Sequence, residues 1–465
     1  MDSTEVFSTL TISLLIVPLV MAVSLKAPKL VVYGFIGILF MFSYSTWGEL
    51  VVVDTIYSRG SGLFYFSLLN LALFVAGFSA LMRKLANPQS PHLATPLAPY
   101  FFAFVFLMLS HIALGLMSGV DLDLILAYEG LLNIFNMFIF MYLVVMAFNT
   151  EKDKRNLLLA FLILAGARAL FGLVRYVLLD GDSANPYRNF EGMDIKIFFF
   201  DIGDNFVAAI GAFCAAWLLL NPSVRLSLAK RFLLYAFLAL EVAAIALSYR
   251  RSSLLGLALV FGLMFFLLPS RKRLQFIALG VAILSVAVVI FFQDRTQFAG
   301  ADGILSSLTY DIAPKKGEEN RFYELYAASE SLRGNWLFGL GSWGTFTGDQ
   351  ELLAFHMGKF QFVHSGFGHI VLKAGIAGLL IFVGLLISYI AFYWRNRRRL
   401  AGNSKLLADI GVAGFMFWIP TLLVGTPIIE FRTMLLFGLC LALPFVAVGM
   451  QNRSYSPYQA HYAAA

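Results

Sequence analysis

Arg250 and Arg251 stand between two apolar stretches with almost no loop around them, in Tyr249-Arg250-Arg251-Ser252-Ser253. A turn that short would fix two guanidinium groups at the rim of a membrane. Guanidinium suits bidentate phosphate binding; the plainer reading is two long side chains snorkelling at an interface. Arg175 is a further basic candidate, sharing a helical face with Arg168 inside another apolar stretch. A charge at mid-bilayer costs roughly 2.5–3.5 kcal/mol on insertion scales, so each needs a partner or a task. Glu129, Asn133 and Asn136 lie at i, i+4 and i+7 in the preceding apolar stretch. They offer Arg175 an ion pair and Arg168 an amide contact at matching depth. The alternative is that Arg175 lines a pocket for an anionic ligand. Glu241 and Lys373, equally isolated in apolar sequence, are expected to pair with each other or to serve separate tasks.

The stretch from Gln293 to Gly378 opens as the longest polar segment of the chain. It carries Arg321, then Asn335-Trp336-Leu337-Phe338-Gly339-Leu340-Gly341, then His364-Ser365 at the head of an apolar helix holding Gly375 and Gly378. Phe322, Leu325, Ser329 and Leu332 recur at helical spacing, which predicts an amphipathic helix near 319–333. Gly339, Gly341 and Gly344 predict a flexible turn bearing Trp336, Phe338 and Trp343. Those aromatics could dip into an interface, stack on sugars, or pack the loop onto the helices. On residue type alone His364 is an interfacial histidine at a helix start. His111 reads as a buried hydrogen-bonding residue; His356 and His369 are neighbours of His364 in sequence, His369 on another helical face. No His/Asp cluster has metal-ligand spacing. Asp121-x-Asp123 and Asp180-x-Asp182 read as solvated loop residues.

A soluble domain carries roughly a quarter charged residues. This chain has 13% charged and 60% hydrophobic residues, which marks an integral membrane protein. Its net charge of +7 is then a topology signal and no argument for nucleic acid. Cys214 and Cys440, both in apolar runs, read as packing residues. Asp2 and Glu5, with no Lys or Arg ahead of the first apolar run, argue against a cleaved signal peptide. Apolar spans are expected near 6–25, 29–46, 63–82, 97–118, 124–148, 156–179, 202–220, 231–249, 252–269, 274–292, 366–394, 407–424 and 432–450. Alternate connections are basic, from Lys26 and Lys29 through Arg83 and Lys84 to Arg395, Arg397, Arg398, Arg399 and Lys405. The intervening ones are acidic, among them Glu49, Asp54, Asp121, Asp123, Asp180, Asp182, Glu191 and Asp194. By the positive-inside rule the basic set is cytoplasmic and the long loop lies outside. The expected organisation is 1–292 as transmembrane helices one to ten and 293–365 as a large periplasmic loop. Helices eleven to thirteen follow at 366–450, and a cytoplasmic tail at 451–465.

Several motifs resemble a known family. Ser248 to Gly256, Ser-x-x-Arg-Ser-Ser-Leu-Leu-Gly, is similar to the arginine motif opening one helix of the O-antigen ligase and O-antigen (exopolysaccharide) polymerase superfamily. Arg321 with Asn335 to Gly341 resembles that family's large-loop signature. His364-Ser365 with Gly375 and Gly378 resembles its His-Asn-x-x-Leu…Gly-x-x-Gly element, with Ser365 in place of the usual Asn. Asp204-Asn205 is similar to a weaker signature. Register with Ser252 to Gly256 favours Arg251 over Arg250 as the family's arginine.

The resemblance implies an all-α polytopic membrane protein, GT-C-like, with about 12–13 transmembrane helices. It would sit in the bacterial cytoplasmic (inner) membrane, its active site facing the periplasm. The implied activity is an inverting, metal-independent glycosyltransferase that uses no cofactor. The donor would be an undecaprenyl diphosphate-linked glycan, and the acceptor a glycan or the lipid A core. Polymerisation of repeat units is the favoured reading, ligation the alternative, and a lipid-linked glycan transporter a third. Membrane lipids, and export or chain-length proteins, would be partners. Arg251 and Arg321, with Arg250 and Arg175 in reserve, would hold the diphosphate. His364 would be the general base. Trp336, Gly339 and Gly341 would shape the substrate path. Gly375 and Gly378, with Gly368, would form a small-residue strip for a polyprenyl chain or a neighbouring helix.

Overall fold

A computed structural model describes residues 3–43, 57, 66–86, 95–148, 150–182, 196–221, 226–278, 280, 281, 285, 321–351, 353 and 360–449. It is an all-α bundle, with no strand among the described residues. The helices are α1 (Ser3–Lys26), α2 (Pro28–Met41), α3 (Leu68–Ala86), α4 (Ala98–Met117), α5 (Leu122–Ile125), α6 (Leu132–Ala147) and α7 (Glu151–Leu178). They continue with α8 (Ile202–Leu220), α9 (Leu228–Ala246), α10 (Arg251–Leu267), α11 (Arg321–Ser331), α12 (Gly366–Arg397), α13 (Gly402–Val424) and α14 (Phe431–Val448). Seven of these, α3, α4, α7, α8, α12, α13 and α14, are long and apolar enough to cross a membrane. The protein is therefore a polytopic membrane protein. More than half of the expected span 274–292 lies outside the described residues, and 293–320, His356 and the tail lie outside them altogether.

The central element is α14, 94% of whose apolar window is buried. It packs between α13 and α6. Small residues allow the approach: a side chain at Gly438 would meet the Met137 carbonyl at 2.5 Å, and one at Gly414 would meet Cys440 Sγ at 2.5 Å. Cys440 and Cys214 are free, buried packing residues. At one end of the bundle Lys154 bonds Glu151, Ser404 and the Ala447 carbonyl, while Arg397 and Tyr393 hold Asp409.

Two expectations are corrected here. The span expected at 124–148 is broken: α5 ends at Ile125, a turn follows, and α6 starts at Leu132. Glu129 sits in that turn, off the face of Asn133 and Asn136, and so is not matched to Arg175. Asn136 instead bonds Asn133 at 3.0 Å and Asn70 of α3 at 2.8 Å. Glu241 and Lys373 do not pair. Lys373 donates to the Gly344 carbonyl at 2.7 Å. The Glu241 carboxyl lies against Gly211 of α8, fully buried, with no hydrogen-bond partner among the described residues.

Candidate active site at one end of the bundle

Helix α12 is not continuous. Gly375 takes φ 65° and ψ −165° inside it, a region reached essentially by glycine alone. The break frees backbone groups on either side, and the segment after α11 satisfies them. Leu340 N donates to Leu372 O at 2.8 Å and Gly341 N to Lys373 O at 3.0 Å. Ile376 N donates to Trp336 O at 2.9 Å and Ala377 N to Leu337 O at 3.0 Å. The two backbones touch: a Cβ on Gly339 would meet Ala374 N at 2.6 Å, and one on Gly375 would meet Leu337 O at 2.3 Å. Gly339 and Gly341 are therefore pinned, both at positive φ (73° and 84°), and the turn is not a flexible one. Gly375 faces this inserted backbone and does not belong to a helical strip with Gly368 and Gly378. Gly368 approaches Leu325, and Gly378 approaches its own Ala374.

The inserted segment is locked further. His111 of α4 contacts Ser342 Oγ at 3.0 Å, and Trp343 packs edge-on to His111. Trp336 and Phe338 stay exposed, at 44% and 63%. The aromatics thus divide between packing and surface. The helix expected near 319–333 is α11, but the expected apolar stripe is split: its first members face outward, while Leu332, just past the helix end, is buried. Phe322 and Leu325 are exposed, while Glu324, Ala327 and Ala328 are buried. The inner face is taken by a small core of Phe346, Leu353, Val363 and Leu372, and by His364.

His364 immediately precedes Ser365, the N-cap of α12, whose hydroxyl accepts from Gly368 N at 3.2 Å. Serine is a favoured cap, which accounts for Ser365 at this position. The His364 backbone N lies 2.9 Å, and its Nδ1 3.1 Å, from Glu324 Oε1. Glu324 is fully buried and the His364 side chain 19% exposed. His369 is buried, with Nε2 3.4 Å from the Gly130 carbonyl.

Arg321 begins α11, three residues before Glu324, and its Nη1 donates to the Val424 carbonyl at the end of α13. Arg250 caps α10, and Arg251 is its first residue. The preceding Tyr249 holds φ 54°, a conformation that a bulky residue rarely adopts. The Arg250 guanidinium lies 4.3 Å from the centroid of the Phe200 ring. The turn between α13 and α14 joins the two basic groups: Arg321 binds Val424 at its start, and Arg250 acts electrostatically on Glu430 at its end.

Arg175 supports this arrangement from below. It is buried, 3.2 Å from Asp182, and donates to the Phe198 carbonyl. Asp182 in turn accepts from Phe200 N at 2.7 Å. Arg175 thus braces the segment carrying the ring under Arg250, and its ion partner is Asp182 in place of the expected Glu129. Asp182 is correspondingly not a solvated loop residue. Among the described residues no three His, Cys, Asp or Glu side chains come together to hold a metal ion.

A polar core beneath the site was missed by sequence reasoning. Arg432 bonds Asp201 at 2.8 Å, Asp204 at 2.6 Å and the Leu39 carbonyl at 2.9 Å. Arg168 bonds Asp204 at 2.6 Å and the Met41 carbonyl at 2.9 Å. Tyr57 adds a bond to the Phe42 carbonyl at 2.9 Å. The group is neutral in sum and caps the carbonyl-rich end of α2, where cations are favoured. The available signal was an arginine at the head of one apolar span and two aspartates at the head of another.

Glu430 joins this group at the N-cap of α14. Burial, then the Asp201 carboxylate, push its carboxyl up to about 7, against Thr433, Arg250 and Arg432. A carboxyl raised on folding stabilises the fold while protonated, and that contribution fades as pH climbs from its ordinary value through about 7. Glu430→Gln is therefore expected to raise the melting temperature in detergent at pH 8 and to leave it nearly unchanged at pH 5. Equal differences at both pH values would contradict this.

Residues 234–383 match the family model described as O-antigen ligase. No curated protein matches the chain. The matched stretch contains Arg250, Arg251, Arg321, the inserted segment, His364, Gly375 and Gly378.

Proposed function

We propose that this chain, whose residues 234–383 match the O-antigen ligase family model, is an inverting glycosyltransferase that takes a glycan from undecaprenyl diphosphate. The domain supports a glycosyltransferase-type role in polysaccharide assembly. The observation that carries the finer reading is that α11 ties Arg321 and His364 together, Arg321 bonding Val424 at the end of α13 and Glu324 bonding His364, while Arg250 acts on Glu430 at the other end of the turn after α13. In this reading the acceptor hydroxyl oxygen attacks the anomeric carbon while His364 takes its proton. The bond from that carbon to the phosphate oxygen breaks, and the lipid diphosphate leaves with the electron pair. Arg251 and Arg321, aided by Arg250, stabilise the charge that builds on it. Arg175, buried against Asp182, serves as the brace of the Phe200 platform. Trp336 faces the sugar, and Gly339, Gly341 and Gly375 hold the inserted segment. The positive-inside pattern sets this end of the bundle toward the periplasm, in the cytoplasmic membrane.

The acceptor is a sugar hydroxyl on another lipid-linked repeat unit, making the protein a polymerase of O-antigen or exopolysaccharide. The ligase alternative, with the lipid A core as acceptor, is favoured by the description of the matching family. A deletion strain separates them: single repeat units on the core indicate a polymerase, an unmodified core a ligase. The activity itself is tested with purified protein and a lipid diphosphate-linked glycan. Turnover is expected for the wild type and a loss of about 10²- to 10⁴-fold for His364→Ala. No product from the wild type, or unchanged turnover in the variant, would sink the assignment.

A further inference from the structure

We infer that Glu324 is the positioning residue for His364, setting its tautomer and balancing the charge it gains. This inference rests on the reading of His364 as the base. Glu324 lies on α11, three residues after Arg321 and forty before His364. Its side chain is wholly buried, and one oxygen, Oε1, serves both the backbone N of His364 at 2.9 Å and the ring Nδ1 at 3.1 Å. An ionised carboxylate only accepts hydrogen bonds. The proton of the neutral imidazole must then sit on Nδ1, which leaves the Nε2 lone pair as the basic atom. The two bonds fix both the main chain and the ring, and Phe362 closes a flank of the ring at 5.3 Å between centroids, edge-on. A base whose second nitrogen is held by a third group is the general arrangement of activated nucleophile–base pairs.

The chemistry follows the proton. When the acceptor hydroxyl gives up its proton, Nε2 binds it and the ring becomes an imidazolium. The buried carboxylate 3.1 Å from Nδ1 stabilises that cation in a place where water competes little. Glu324 touches no reacting atom in this scheme; it acts through His364. The inserted segment matters here too, since α11 and the head of α12 are held together through the core of Val363 and Leu372.

The test uses the full-length protein in detergent with a lipid diphosphate-linked glycan and an acceptor. Glu324→Gln keeps the shape and removes the charge. It is expected to lower kcat at least tenfold while the KM for donor stays within twofold. Nitrogen NMR on histidine-labelled wild type, with the His364→Asn spectrum subtracted to assign the signal, is expected to show a protonated Nδ1 and a bare Nε2. Full kcat in Glu324→Gln, a raised donor KM with kcat unchanged, or a wild-type ring protonated on Nε2 would each overturn the inference while leaving His364 as the base. Retained turnover in His364→Ala would instead remove the base itself, and this inference with it.

Discussion

Gly375→Ala is expected to lower the stability of the protein by on the order of 3 kcal/mol and to abolish turnover. Two effects add. The backbone at φ 65° and ψ −165° is strained for any residue with a Cβ. The new methyl would also stand 2.3 Å from the Leu337 carbonyl oxygen, well inside van der Waals contact. Relief requires the inserted segment to withdraw or α12 to straighten. Either movement breaks the four backbone bonds between 336–341 and 372–377. It also releases α11, and with it Arg321 and Glu324, from the head of α12. The measurement is thermal unfolding in detergent beside turnover. Wild-type values for both would show that the break in α12 is dispensable. Gly262→Ala is the control, because a Cβ added at that helical glycine of α10 meets nothing within 4 Å.

Arg432→Met is expected to destabilise the bundle by about 3–5 kcal/mol, the range for removing one partner of a buried ion pair. Arg432 and Asp204 are fully buried, and Asp201 nearly so. Without Arg432, one guanidinium is left to neutralise two carboxylates, and the Leu39 carbonyl loses its donor. Part of the loss should return in the Arg432→Met, Asp201→Asn double variant, since the orphaned charge goes with it. Lysine at 432 should recover little, because an ammonium cannot reproduce a fork that reaches two carboxylates and a carbonyl. Melting temperatures of the three variants decide this; a single variant as stable as wild type would show that the cluster is not structural.

Much of the fold was legible because apolar length and basic connections are local properties of the chain. The start of α12 at His364-Ser365 and the existence of α11 were legible for the same reason. The break before α6 was not, because Leu126, Ala127, Leu131 and Leu132 continue an apolar run and hide a turn. Ion partners were misassigned wherever depth along a helix was the only guide. Arg175 found Asp182, seven residues on and past its own helix, and Lys373 found a carbonyl. Glu324 was hidden because Phe322 and Leu325, on either side of it, face outward, so that hydrophobic periodicity pointed to the wrong face of the helix's first turns. Gly375 was visible as a motif, but a glycine spacing reads equally as a smooth helical strip or as a fracture. Only a second backbone lying in the gap distinguishes them.

The junction of 336–341 with 372–377 also sets a rule for how relatives of this protein can vary. Sliding either piece by one residue would put side chains where Gly339 and Gly375 now touch backbone, and would lose the register of all four bonds. Spacing within each piece should therefore stay constant among relatives, with no insertion or deletion inside 336–341 or 372–377. Substitutions at one glycine should be found only alongside changes in the other.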